Sequence, residues 1–177
     1  MIRPTGSLLI ALLATACGGA SPDAKPDSGG SSASASAGKG DDFEACALLT
    51  AEEIQSAAGW APDTTDGKTY GSTKVCSYTG PDAMKQSVVL VVARPAPKVA
   101  TSAELSTRRN EAFAREKSIK MASTPIEGLG MPAVRTEVEG AATPTVEIVV
   151  GRHLVGLTAG DFEVAKTLAA KAASRLQ

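Results

Sequence analysis

The chain contains few of the residues that enzymes most often use for chemistry. Its 177 residues include one histidine and three cysteines, with three phenylalanines, two tyrosines and one tryptophan. His153 is therefore the sole imidazole available as a general base, and no serine stands in a Gly-x-Ser-x-Gly nucleophile elbow. The scarcity of aromatic rings argues against carbohydrate stacking and against an aromatic hot spot for protein binding. We predict no catalytic residues, no cofactor and no enzyme activity.

Long hydrophobic runs and a strong charge of one sign are also missing. Lys and Arg total 18 and Asp and Glu total 19, which gives a formal charge of −1. This balance offers no electrostatic reason to bind nucleic acid, so we expect none as a partner. The apolar run at residues 8–16 has roughly nine residues, far fewer than the ~20 that a helix needs to span a bilayer. A spanning anchor at this position is therefore excluded.

The N-terminus does carry the pattern of an export signal. Arg3 precedes the apolar run, and three small residues then lead to Cys17. This pattern resembles the lipobox of bacterial lipoproteins, in which the signal peptide is removed just before a lipidated cysteine. We expect residues 1–16 to be a lipoprotein signal peptide and Cys17 to be the lipid-attachment site. An ordinary secretory signal that leaves Cys17 as a free thiol is the alternative.

Lipidation would fix where the protein resides. Two or three acyl chains hold a protein firmly on a membrane, whereas one chain holds it weakly. We expect an exported protein anchored through Cys17 to the bacterial cell membrane or outer membrane, with its domain outside the cytoplasm. Residues 17–42 are rich in Gly, Ser, Ala and Pro and lack bulky apolar residues, which predicts a flexible tether. A tether of this length reaches roughly 25–30 Å.

Composition changes at Phe43, and residues 43–177 are predicted to form one globular domain. Helix signals occur three times in this part of the chain. Capping boxes begin a helix at 51–58 and another within 101–120, and Asp161 caps the last helix.

Short β-branched or alternating apolar segments between these helices predict strands. Residues 61–75 are polar and contain proline and glycine, so we expect a loop there. The predicted strands are 76–80, 86–94, 133–139, 145–150 and 153–158, and the apolar run 86–94 is typical of a buried central strand. Because successive strands form hairpins, we predict an α+β fold with a single antiparallel sheet of about five strands and helices packed on one face.

Cys46 and Cys76 remain once Cys17 is assigned to lipid. In an exported chain, two cysteines in one small domain most simply form a disulfide. A redox role is an alternative, and so is a metal site. The metal site has weak support, because the two cysteines and His153 give at most three soft ligands without a close-paired spacing. We therefore predict a disulfide and no metal.

Three motifs stand out in the domain: CALLTAEEIQSAAG, the second cysteine with its aromatic neighbour in CSYTG, and the Gly-Leu-Gly element in IEGLGMPAV. Together they resemble a large family of small bacterial lipoproteins of unknown function that is abundant in actinobacteria. The resemblance implies a paired cysteine couple, here Cys46 and Cys76, and it transfers no catalytic residues. A compact form similar to PsbP-like envelope domains is a weaker analogy.

Other polar groups are interpreted structurally. Glu53 serves a helix cap and Glu52 points elsewhere on the same helix, so the pair does not form glycosidase carboxylates. Gly-Leu-Gly at 128–130 lacks the strand, the helix and the third glycine of a dinucleotide-binding loop. Arg108 and Arg109 are expected on a solvated helix face.

Three functional hypotheses follow from the sequence. The first is a membrane-tethered, non-catalytic binding or accessory module of the cell envelope, whose partner is an unidentified envelope protein or lipid. The second is a carrier of an apolar, lipid-like ligand, which predicts an apolar cavity of at least about 300 Å³ between helices and sheet. The third is an enzyme with an unfamiliar site, which predicts a cleft around a residue with a strongly perturbed pKa.

Overall fold

The computed structural model describes residues 43–116 and 120–177. Within these ranges, the chain forms one antiparallel sheet of seven strands and three α-helices, preceded by a 3₁₀ turn. The elements are, in order, the 3₁₀ turn Ala45–Leu48, α1 Ala51–Ala58, β1 Thr64–Tyr70, β2 Thr73–Thr79, β3 Ser87–Ala93, α2 Ser102–Phe113, β4 Met121–Ile126, β5 Ala133–Val138, β6 Thr145–Val150, β7 His153–Ala159 and α3 Phe162–Ser174. The predicted α+β class is confirmed.

The sheet has the strand order β1-β2-β3-β7-β6-β5-β4, and every neighbouring pair is antiparallel. Two meanders build it: β1 to β3 form one half and β4 to β7 form the other. They join where β3 pairs with β7, with Leu90 opposite Leu157. The sheet therefore has two edges, β1 and β4, that come from different halves of the chain.

The prediction of about five strands is wrong because both edge strands give weak sequence signals. β1 lies inside the segment 61–75 that was predicted to be a loop, and each of its residues is exposed. β4 contains Pro125, which is depleted from strands except at edges. The helix predicted within 101–120 ends at Phe113, well before β4 begins at Met121.

The helices lie on both faces of the sheet, which corrects the prediction of one face. Alternate residues of β6 separate into two clusters: Ile148 packs in the core with α1 and α3, whereas Val149 packs with Leu105 of α2. α3 contacts β6 and β7, and α2 contacts β4 and β5. Residue alternation in a strand then requires α2 and α3 to cover opposite faces.

The main core lies between the sheet and the helices α1 and α3. Its large, fully buried side chains include Ile54, Leu90, Leu157 and Leu168. Alanines on α3 bring that helix close to the strands, since they add little bulk between backbone and sheet.

The helix starts follow the predicted caps. At α1, Thr50 and Glu53 form a full capping box. At α2, the Thr101 hydroxyl accepts from the Glu104 amide, but the Glu104 carboxylate accepts from Ala100 rather than from Thr101. Asp161 caps α3 by accepting from two amides of its first turn.

Candidate functional site

Cys46 and Cys76 form a disulfide, as the sequence predicts. Cys46 lies in the 3₁₀ turn, and Cys76 lies in the middle of β2 with no exposed surface. The bond fastens the start of the domain to the strand next to the β1 edge. Gly67 of β1 pairs with Cys76, and a Cβ atom added at Gly67 would lie 3.0 Å from the Cys46 sulfur. The disulfide therefore covers the centre of β1 from one side.

A charged cluster beside the disulfide fastens α1 to α3. Arg175 donates to both carboxylate oxygens of Glu53 at 2.9 and 3.0 Å, and Lys171 lies 3.5 Å from the same carboxylate. Arg175 also donates to the carbonyl of Leu48. Burial raises the pKa of Glu53, but the Thr50 amide and the two cations outweigh burial and hold that pKa below its usual value. This cluster explains Glu53 as a structural residue.

Tyr78 adds a buried hydroxyl to the same region. Its phenol donates to the carbonyls of Cys46 and Leu49 at 3.2 and 3.4 Å. Burial raises the pKa of Tyr78 to about 12, so the hydroxyl stays a donor at physiological pH. The aromatic residue after the second cysteine thus supports the 3₁₀ turn that carries the first.

His153 packs against an aromatic ring, and Ser72 donates a hydrogen bond to a backbone carbonyl. His153 is buried at the start of β7, with the ring of Phe43 edge-on at 5.6 Å between centroids. The Ser72 hydroxyl donates to the carbonyl of Arg94 at 2.7 Å. A groove of about 410 Å³ beside that contact is lined by Ser72, Arg94, Pro95 and Arg152.

The other polar residues singled out in the sequence lie apart from one another. Arg109 forms an ion pair with Glu147 beneath α2, which corrects its assignment to a solvated face, whereas Arg108 pairs with Glu104 on the exposed side. Glu52 is exposed on α1, and 128–130 forms the turn between β4 and β5. Cys17, the signal segment 1–16 and the tether 17–42 lie outside the described residues.

A groove of about 550 Å³ lies at the end of the sheet formed by β4 and β5. Charged side chains line much of it, including Lys120, Arg135, Glu137 and Glu139. Between the middle of α3 and the sheet, by contrast, Ile148, Leu157 and Leu168 are fully buried. A smaller cavity of about 270 Å³ lies near the start of α3, beside Trp60 and Val164. The β4–β5 groove thus combines charged side chains with apolar ones such as Met121 and Val138 and lies at the surface, whereas a lipid carrier predicts an apolar cavity between helices and sheet.

Among residues 43–116 and 120–177, no helix covers one face of the sheet beyond the reach of α2, and we call that part of the sheet open. On β2, β3 and β7, alternate residues point away from the main core and are only half-buried: Val75, Ser77, Val89, Val91, Gly156 and Thr158. Val75, Val91 and Gly156 are direct neighbours across the three strands. In the described part of the chain, helix α2 contacts mainly β4 and β5 on this side. We call these six residues the open face.

Sequence reasoning missed the open face. The apolar run 86–94 predicts a buried central strand, yet Val89 and Val91 keep part of their surface accessible. The sequence signals this surface only indirectly, because the three helix signals at 51–58, 101–120 and Asp161 are not followed by a fourth that could cover it. Across 43–116 and 120–177, no three His, Cys, Asp or Glu side chains group as a metal site. The helices described in these ranges are too short or too polar to cross a bilayer.

The fold and the site define a disulfide-braced α+β domain with one half-covered antiparallel sheet. The chain belongs to the family described as "Protein of unknown function (DUF3558)", whose sequence pattern matches residues 12–161. A comparison with curated proteins gave no match. Among solved structures, a GTP binding regulator from Thermotoga maritima is similar at 7% identity and a TM-score of 0.34, over 72% of this chain and 87% of that chain. A likeness this slight bears on neither fold nor function.

Proposed function

We propose that this protein is an exported, lipid-anchored binding module of the bacterial cell envelope. Cys17 would carry the lipid, residues 17–42 would act as the tether, and the domain would bind its partner without catalysing a reaction. The disulfide between Cys46 and Cys76 supports export, because such bonds persist in oxidising compartments.

The open face is the observation that carries the binding role. A monomeric domain normally covers the apolar side of a central strand with a helix or a second sheet. Here Val75, Val89 and Val91 form a contiguous apolar strip beside the polar residues Ser77 and Thr158. An apolar centre with a polar margin is the arrangement of a protein-binding surface. We therefore assign the partner to the class of envelope proteins that present an apolar surface.

Anchoring is tested by fractionation of the producing bacterium with a clickable palmitate analogue. The full chain should be labelled and should sediment with membranes, and Cys17→Ser should lose both properties. Cys46→Ala/Cys76→Ala is the matched control, since it removes the other two cysteines and should keep the label. Label on a Cys17→Ser chain, or an unlabelled native chain, would reject the lipid anchor.

Binding is tested by photocrosslinking in the same cells. A benzoylphenylalanine residue in place of Ser77 should give a discrete adduct, whereas the same residue in place of the exposed Thr167 on α3 should not. Val91→Lys, which places a charge in the centre of the open face, should reduce the adduct at position 77 severalfold without lowering thermal stability. Equal adducts from both faces would reject the open face as the binding surface.

A further inference from the structure

The two edge strands of the sheet, β4 and β1, differ in how far other described residues cover their outer backbone groups. At β4, Asn110 of α2 pairs with Ser123 as a neighbouring strand would: the side-chain amide donates to the Ser123 carbonyl at 2.9 Å and accepts from its N–H at 2.8 Å. Ser106 donates to the same carbonyl, and Pro125 has no N–H to offer. These are recognised ways of blocking an edge strand from pairing with another chain.

The β1 edge carries no such cover in the described part of the chain. All seven residues of β1 are exposed, including the ring of Tyr70 at 63%. No proline interrupts Thr64–Tyr70, and its register with β2 is continuous from end to end. β1 is thus a straight strand with one side open for backbone hydrogen bonds.

The sequence of β1, TTDGKTY, is self-complementary about its central residue. If two copies of β1 pair antiparallel with Gly67 opposite Gly67, then Asp66 of each copy lies opposite Lys68 of the other. Thr65 lies opposite Thr69 in the same register. Opposite charges and threonine pairs are both stabilising as direct cross-strand neighbours.

Neighbouring registers lack this complementarity. Centring the pair on Asp66 places two carboxylates opposite each other, and centring it on Lys68 places two ammonium groups together. Like charges directly opposite one another are destabilising. The side chains therefore select the register centred on Gly67, in which two Asp66–Lys68 ion pairs form.

We infer that β1 pairs with β1 of a second copy of this chain, joining two sheets edge to edge. In the single chain, Asp66 and Lys68 already lie 2.8 Å apart on one face, and each is more than half exposed. When two copies pair, each Asp66 carboxylate can form its ion pair with Lys68 of the other copy in place of Lys68 of its own chain. No charge is then left without an opposite charge beside it.

The backbone of β1 suits this pairing. The turn between Tyr70 and Thr73 has two residues, and such hairpins close on a hydrogen-bonded pair. Alternation then directs the peptide groups of Thr65, Gly67 and Thr69 toward the open edge, with Asp66 and Lys68 at the positions where side chains across a strand pair approach most closely.

The assembly closes at two copies. A two-fold interface uses the same patch on both partners, and the β4 edge at each far end is covered. One seven-residue strand pair is a small interface, so the free chains associate weakly. Confinement on a membrane would raise their effective concentration. The inference does not depend on the lipid anchor, because the pairing uses β1 alone.

A zero-length carbodiimide crosslink tests the pairing, because it joins a carboxylate to an amine only when they touch. Equal amounts of ¹⁴N- and ¹⁵N-labelled full-length chain are mixed, crosslinked and digested. The expected product is an amide between Asp66 and Lys68 whose two peptides carry different isotopes. Lys85→Asp, the same charge change on an exposed turn away from β1, should leave its yield unchanged.

Charge exchange gives the decisive comparison. In sedimentation velocity, which does not need a reactive pair, Asp66→Lys and Lys68→Asp should each weaken dimerisation about tenfold or more, because both place like charges opposite each other. The double variant Asp66→Lys/Lys68→Asp should restore the dimer, and a mixture of the two single variants should form a mixed dimer. Circular dichroism of each variant checks that the domain is folded. Isotopically pure crosslinks alone, or a double variant no better than the singles, would overturn the inference.

Discussion

Gly67 lies where β1 passes beneath the disulfide, and its missing side chain is what allows that approach. A Cβ atom there would lie 3.0 Å from the Cys46 sulfur, which the bond to Cys76 holds in place. A glycine inside a strand otherwise costs about 0.5–1 kcal/mol relative to alanine. We therefore expect Gly67→Ala to lower the free energy of unfolding by about 1 kcal/mol in urea titrations, against the usual trend.

The sign of this effect should reverse when the sulfurs are absent. In a Cys46→Ala/Cys76→Ala background, Gly67→Ala should stabilise by about 0.5 kcal/mol, since the crowding is gone. Gly156→Ala is the matched control, because a Cβ atom there meets Val91 at an ordinary 3.9 Å. If Gly67→Ala costs the same with and without the disulfide, the contact with Cys46 is not the reason for glycine.

The carboxylate of Glu53 makes the free energy of unfolding depend on pH. Its pKa in the folded chain is lowered below the usual 4.5, because the Thr50 amide, Arg175 and Lys171 together outweigh the opposing effect of burial. A carboxylate with a depressed pKa stabilises the fold above its unfolded pKa, and that contribution disappears as the pH falls through the folded pKa.

We expect Glu53→Gln to cost about 1–3 kcal/mol at pH 7, since it leaves Arg175 without its carboxylate. The difference from the native chain should shrink as the pH falls through the lowered pKa of Glu53, where the carboxylate itself becomes neutral. Urea unfolding of both chains at pH 7 and pH 3 measures this. A constant difference across that range would show that the charge of Glu53 is not what fastens α1 to α3.

The elements that sequence predicts well are those whose side chains alternate between core and solvent. β6 and β7 are predicted close to their observed bounds because Val146, Ile148, Val155 and Leu157 mark one face. β1 and β4 give no such signal, because an edge strand contacts only one neighbouring strand. These two strands form through backbone hydrogen bonds to one neighbour, which depend little on side-chain identity, rather than through the burial of an apolar face.

The side of the sheet on which a helix packs is also hidden from sequence. α2 buries Ser102, Leu105 and Ser106, a mostly polar contact that gives only a weak apolar stripe. Its attachment depends on hydrogen bonds to β4, which are set by three-dimensional placement rather than by periodicity. The sequence of α2 therefore indicates a helix with a solvated face, but it does not indicate which strands that helix contacts.

The pairing of Asn110 with Ser123 makes α2 the cover of the β4 edge. Asn110→Ala should leave the Ser123 amide and carbonyl without these partners, at a cost of about 1–3 kcal/mol. Hydrogen exchange followed by NMR should show faster exchange at the Ser123 amide. Thr107→Ala is the control, since that hydroxyl bonds only to the carbonyl of Ala103 within α2. Unchanged protection of Ser123 would mean that α2 does not shield this edge.

At the scale of the whole molecule, residues 43–116 and 120–177 form a sheet in which one face is closed and the other is closed by these residues over half its width. The sequence predicts the closed face, through apolar alternation and the caps of α1 and α3. It cannot predict the open face, because Val89 and Val91 are as apolar as the core residues Val88 and Val92 beside them. The difference arises from how far α2, together with Ala96 and Val99 of the segment before it, extends over this face.

Two adjacent valines of β3, Val91 and Val92, test whether the two faces of the sheet differ in burial. The substitution of valine by threonine is nearly isosteric and can be made at both positions. Val92 is 1% exposed in the main core, whereas Val91 is half-buried on the open face. Val92→Thr should lower the free energy of unfolding by about 1–3 kcal/mol, because it buries a hydroxyl in an apolar core. Val91→Thr should stay within about 0.5 kcal/mol of the native chain, since its hydroxyl reaches solvent and threonine favours strands equally well. Urea unfolding measures both, and equal costs would show that the open face is covered in the folded protein and is not a binding surface.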